Sequence, residues 1–132
     1  MKQTNRLALL CFCAAVMLAG CTRYGTAITE IKSYNYKDNQ LTVTAEVTDN
    51  GGCQYYVEQG FCYRQDTFPF LNDVFTTQVK VNDYSENAVF SSTFSLPIAD
   101  TTYYVRAYVK NNAGLSYSDV LKVSTNALDY MK

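Results

Sequence analysis

A chain of 132 residues is enough for one domain of about 100 residues with a short extension. With 48% hydrophobic and 17% charged residues, it can bury a single core and is too apolar to be disordered. Eleven basic residues against twelve acidic ones argue against nucleic-acid binding, and the absence of histidine removes the commonest general base and metal ligand.

Residues 1–20 read as a signal segment. Lys2 and Arg6 give a charged start, and Leu7 to Ala19 is apolar but short for a membrane span. Leu18-Ala19-Gly20-Cys21 matches the bacterial lipobox, where small residues admit the signal peptidase and the thiol accepts diacylglycerol. The expectation is cleavage before Cys21 and a membrane anchor of acyl chains, each buried methylene adding about 0.8 kcal/mol. An ordinary secretory signal with an incidental Cys21 is the simpler alternative. Cleavage would remove Lys2 and Arg6, leaving nine basic and twelve acidic residues and a net charge of −3. Residues 21–27 then read as the lipidated cysteine and a short polar tether. By similarity to enteric lipoproteins, threonine rather than aspartate at position 22 favours the outer membrane. Related surface-exposed lipoproteins carry an acidic cluster after the cysteine. Thr22-Arg23-Tyr24-Gly25 has none, so the periplasmic and surface-facing leaflets both stay open.

Residues 28–125 read as one all-β domain. Ile28 to Tyr36 is a strand, closed by the turn Lys37-Asp38-Asn39-Gln40. Leu41, Val43, Ala45 and Val47 then alternate with Thr42, Thr44, Glu46 and Thr48, the period of two of a half-buried strand. Asp49-Asn50-Gly51-Gly52 breaks it. Tyr56 to Arg64 follows, with Val57, Phe61 and Tyr63 on one parity and Glu58, Gly60, Cys62 and Arg64 on the other. Residues 65–87 offer only Gln78-Val79-Lys80-Val81 as a short strand. Val89 to Leu96 keeps Phe90, Phe94 and Leu96 in phase. Pro97 and Asp100 mark a corner. Beyond it Tyr103, Val105, Ala107 and Val109 share one face, and Tyr104, Arg106, Tyr108 and Lys110 the other. Asn111-Asn112-Ala113-Gly114 suits a hairpin turn. A last strand starts at Leu115, with Leu121 and Val123 in phase, and residues 126–132 form a short loose tail.

Thr101-Thr102-Tyr103-Tyr104-Val105-Arg106-Ala107-Tyr108, with Asn112-Ala113-Gly114 and Tyr117, resembles the F strand, F–G turn and G strand of fibronectin type III-like domains, closest to the variant of bacterial envelope lipoproteins. The resemblance spans about residues 27–125, and Gly60-Phe61-Cys62-Tyr63 also carries it. It implies an immunoglobulin-like β-sandwich of about seven antiparallel strands. It also implies that Tyr103 is a corner tyrosine, its phenol bonded back to nearby backbone where the chain crosses between sheets. Two departures stand out: the chain has no tryptophan, and Leu96 to Tyr103 is one residue longer than the family's spacing.

Chemistry is sparse. Serines and threonines lack a histidine or a suitably spaced lysine to activate them. Asp38, Asp49, Asp66, Asp73, Asp83 and Asp100 fall mostly in turns and are too scattered for a calcium loop. The reading is a non-enzymatic protein without cofactor or metal. Cys11 and Cys13 leave with the signal, so Cys53 and Cys62 remain; in an oxidising compartment they pair as a disulfide or stay as two thiols.

Two surfaces are candidates for binding. Tyr104, Arg106 and Tyr108 form one face, where tyrosine's flat body and polar tip suit a peptide or a sugar; the simpler reading is a cross-strand ladder. Phe68, Phe70 and Leu71 lie in the apolar connection 67–75, expected to cap an open sandwich end or to form a partner loop. The functional expectation is a lipid-anchored envelope module binding a protein or serving in a surface assembly. The alternative is a glycan-binding accessory lipoprotein. No nucleic-acid partner is expected.

Overall fold

The structure, a computed structural model, describes residues 24–125. The expected signal segment, Cys21 and the tail 126–132 lie outside the described residues. Eight strands form: β1 (Ile28–Lys37), β2 (Gln40–Asp49), β3 (Tyr56–Arg64), β4 (Thr77–Ser85), β5 (Val89–Ser95), β6 (Thr102–Asn111), β7 (Gly114–Tyr117) and β8 (Leu121–Ser124). One sheet runs β1-β2-β5. The other runs β4-β3-β6-β7, with β8 continuing beside β6. All pairings are antiparallel.

The two sheets face each other across a core set by strand parity. Leu41, Val43 and Ala45 from β2, Phe61 from β3 and Val105, Ala107 and Val109 from β6 are fully buried. Phenylalanine fills the space that a tryptophan-free chain leaves. Phe61 packs on Phe90 and Phe94 at centroid distances of 5.2 and 6.3 Å, and Tyr63 stacks on Phe94 at 5.0 Å. Burying a ring of this size stabilises by about 1.5–3 kcal/mol, so these few side chains dominate the core. Gln59 shares their parity and is fully buried. It stays there because its amide donates to the Asn87 carbonyl at 2.5 Å and accepts from Asn82 Nδ2 at 3.0 Å.

The turns follow from their residues. Asp38 and Asn39 both adopt positive φ (53° and 65°), the geometry a tight hairpin between β1 and β2 demands. Asn111 Oδ1 accepts from the backbone N–H groups of Ala113 and Gly114, fixing the β6–β7 turn. At the corner, the Ile98 N–H donates to the phenol oxygen of buried Tyr103 at 3.3 Å. The extra residue after Leu96 therefore leaves the corner bond intact. Thr125 clamps the same corner, its hydroxyl donating to the Ile98 and Thr101 carbonyls.

Three expectations need correction. β4 is a nine-residue strand rather than the four residues 78–81. It is an edge strand whose register slips opposite Gln59 and Gly60, so no clean alternation marks it. The last strand is not continuous. Ser118 turns inward, its hydroxyl accepting from the Ala107 N–H at 2.9 Å, and the register with β6 shifts by one residue between β7 and β8. Residues 24–27 are docked rather than free. Gly25 donates to the Gly51 carbonyl at 2.8 Å, Asn111 Nδ2 donates to the Gly25 carbonyl at 2.8 Å, and Ala27 is buried. Of the two states left open for Cys53 and Cys62, the structure has the unpaired one: both are buried free thiols. Tyr56 to Cys62 is extended strand, about 20 Å long at ~3.3 Å per residue, whereas disulfide Cα atoms lie within ~7 Å. Cys53 stays at the far end of it, its N–H bonded to the Asn50 carbonyl.

Candidate functional site

The outward parity of β3 and β6 defines the face of interest. Arg64 opposes Tyr104, Cys62 opposes Arg106, Gly60 opposes Tyr108 and Glu58 opposes Lys110. Across the neighbouring strands, Tyr117 of β7 opposes Tyr108 and Lys122 of β8 opposes Tyr104. Sequence parity placed Tyr104, Arg106 and Tyr108 together, and the structure does so. It treats them differently.

Tyr108 is wholly buried although it points away from the core. Its ring lies over Gly60, where an added Cβ would come within 2.8 Å of the ring and 2.3 Å of the Val79 carbonyl. The phenol donates to Glu58 Oε2 at 2.6 Å and accepts from Gln78 Nε2 at 2.8 Å. Lys80 and Lys110 flank the same carboxylate at 3.6 and 3.8 Å. Burial pushes the Tyr108 phenol well above its ordinary value, and the Glu58 carboxylate adds to the shift. Beside it Cys62 is fully buried, and loss of water raises its thiol to about 12. A residue so enclosed offers no platform to a ligand, so Tyr108 leaves the candidate binding face.

Arg106 and Tyr104 are only partly buried, and the connection 65–76 lies across them. That connection neither plugs an end of the sandwich nor stands free. Phe68 packs on Tyr104 at 5.9 Å, Phe70 meets Tyr117 edge-on at 5.7 Å, and Pro69 between them is fully buried. The Leu71 N–H donates to the Tyr117 phenol at 2.9 Å. Arg64 pairs with Asp73, which also caps the Phe75 N–H at 3.0 Å. Phe70 N–H donates to the Thr76 hydroxyl, closing the loop on itself. Proline and these bonds hold the loop in shape.

The Arg106 guanidinium lies 5.4, 4.9 and 5.2 Å from the ring centres of Phe68, Phe70 and Tyr117. Lys122 Nζ lies 5.8 Å from the Tyr104 ring. The two candidate surfaces, separate in sequence, are one plate of rings around a cation. Phe68 and Phe70 remain 46% and 44% exposed. Among the described residues no cluster of three or more metal-ligating side chains occurs. Tyr117, which joins both surfaces, was named in the sequence only for its resemblance; its role follows from its register opposite Tyr108.

Two solved structures share this architecture. One, a myokine structure, has a TM-score of 0.53 and 12% identity, covering 78% of this chain and 98% of the other. The second is a solution structure of a human fourth fibronectin type III domain. It has a TM-score of 0.56 and 17% identity, covering 80% of this chain and 84% of that one. The chain folds as a fibronectin type III-like sandwich. No family model matches it, and no curated protein does. At these identities the likeness establishes the fold alone, and what the domain does has to be argued from the plate.

Proposed function

We propose that this protein is a non-catalytic, lipid-anchored module of the bacterial cell envelope that binds a protein partner through the plate formed by Phe68, Phe70, Tyr104, Arg106 and Tyr117. Domains of this fold commonly serve as binding or structural modules. The observation that carries the reading is two half-exposed phenyl rings held in place by a hydrogen-bonded loop. Rigid apolar rings on a folded scaffold are a recurrent anchor in protein recognition, because little side-chain freedom is lost on binding. The lipobox supports anchorage at Cys21. The chain then enters the sandwich at Gly25, beside Gly51 and Asn111. The plate's loop leaves β3 at Arg64, the end of that strand farther from Gly51.

The glycan alternative loses support from Tyr108, whose burial removes one of the two tyrosines expected to stack on a sugar. A photo-crosslinking residue at position 70, used in intact cells, tests the binding reading. It should trap one defined envelope protein, and capture of none would count against the plate. The anchor is tested separately by the intact mass of envelope-extracted protein, expected to begin at acylated Cys21. An unmodified chain starting elsewhere would refute anchorage.

A further inference from the structure

The cations on the outer face of the β4-β3-β6-β7 sheet are not alike. Arg64 has Asp73, Lys80 has Glu58 and Asp83, and Lys110 has Glu58. Among the described residues, Arg106 and Lys122 have no carboxylate within ion-pair distance; the Nε atoms of Arg64 and Arg106 are both buried without a hydrogen-bond partner, but only Arg64 has a carboxylate on its guanidinium. Arg106 is at the centre of the plate, against Phe68, Phe70 and Tyr117, and Lys122 lies at its edge over Tyr104. Residues 24–125 carry seven Lys and Arg against eleven Asp and Glu, a net −4. In so acidic a domain, two uncompensated cations on the adjacent strands β6 and β8, set among half-exposed phenyl groups, are a local reversal of charge.

We infer that the plate's partner is an acidic polypeptide segment, with one carboxylate on Arg106, a second reaching Lys122 and apolar side chains against Phe68 and Phe70. This rests on the plate being the contact surface and adds the chemistry of what it contacts. A guanidinium flanked by rings is partly shielded from water, so a carboxylate bound there meets a weaker dielectric than at an open surface. Lys122 lies on the neighbouring strand opposite Tyr104, two positions along β6 from Arg106, so a partner in extended conformation can set one carboxylate on each cation. The neighbouring acceptors are already engaged: Asp73 with Arg64, Glu58 with Tyr108 and two lysines, and the Tyr117 phenol with Leu71. The plate thus offers rings and cations but few acceptors for the hydroxyls of a neutral sugar.

The test uses the full chain in detergent with fluorescent octapeptides of alternating glutamate and tyrosine, the same peptides with glutamine for glutamate, and oligogalacturonate. Arg106→Gln, Lys122→Gln and Phe68→Ala/Phe70→Ala variants, checked for unchanged melting, are compared with the parent. The glutamate peptide should bind roughly 10-fold or more tightly than the glutamine peptide. Arg106→Gln should remove most of that preference and Lys122→Gln part of it, and the preference should shrink as salt rises. Equal binding of the two peptides, an unaffected Arg106→Gln, or no binding of any probe would overturn the inference. Tighter binding of oligogalacturonate with the same dependence on Arg106 would overturn the polypeptide partner in favour of an acidic glycan. Retained charge preference in the double phenylalanine variant would instead count against the plate itself. Crosslinking through position 70 that persists in Arg106→Gln would leave the plate standing and the acidic partner refuted.

Discussion

Tyr108 and Arg106 are two residues apart on one face of one strand, yet their surroundings differ in kind. Around Tyr108 the polar groups are matched: its phenol, Gln78, Glu58 and two lysines form a closed set over Gly60. Around Arg106 the matching stops, with an unpartnered Nε, no carboxylate within ion-pair distance among the described residues and two phenyl rings half in water. A closed set stabilises the domain, because breaking it strands a buried polar group. An open one contributes little to folding and is available to a partner. Strand parity says which way a side chain points; what lies on top of it decides whether it serves stability or recognition.

The contrast can be broken at its closed half first. Gly60→Ala would drive a Cβ into the Val79 carbonyl and the Tyr108 ring, and backbone cannot yield as a flexible side chain does. A loss of about 3 kcal/mol is expected in urea unfolding. Next comes the pair of tyrosines. Tyr108→Phe should cost about 1–2 kcal/mol by leaving Glu58 and Gln78 without the phenol. Tyr104→Phe, whose ring packs on Phe68 beside Lys122, should cost well under half of that. Equal losses would mean the face is not divided as described.

Alkaline titration probes the closed half more gently. Both Tyr108 and Cys62 hold their protons more tightly when folded than when unfolded, since burial opposes the anion. Their contribution is complete below the ordinary thiol value of 9.0 and falls as pH rises towards about 12, where the folded Cys62 titrates. The urea midpoint should therefore decline from about pH 9 upward. Cys62→Ala and Tyr108→Phe should each flatten that decline, and Tyr104→Phe should leave it alone.

Much of the fold could be read from the residues, for reasons that also explain what could not. β2, β5 and β6 bury one face against the opposite sheet, and their alternation is written in the sequence. The Asp38-Asn39 turn follows from local backbone preference, and the Tyr103 corner is what the family resemblance implies. β4 hides because an edge strand with a slipped register needs no apolar stripe. Gln59 sits in the core through bonds to Asn82 and to the Asn87 carbonyl, both distant in sequence. The plate hides for a similar reason. Phe68 and Phe70 have no strand phase of their own, and nothing in residues 65–76 announces that they fold back onto Arg106. One clue was present: a glycine inside β3 marks a close approach, and once the register sets it opposite Tyr108, the ring that covers it follows.

The central claim is that the open half of this face serves recognition, and Phe70→Ser tests it most directly. Urea unfolding of the variant and crosslinking from a neighbouring plate position in intact cells should be measured on the same protein. Stability should change by well under ~2 kcal/mol, less than a buried ring is worth, together with loss of the crosslinked partner. A large fall in stability with the partner still captured would contradict it, and would make the loop a cover for the sheet rather than a contact surface.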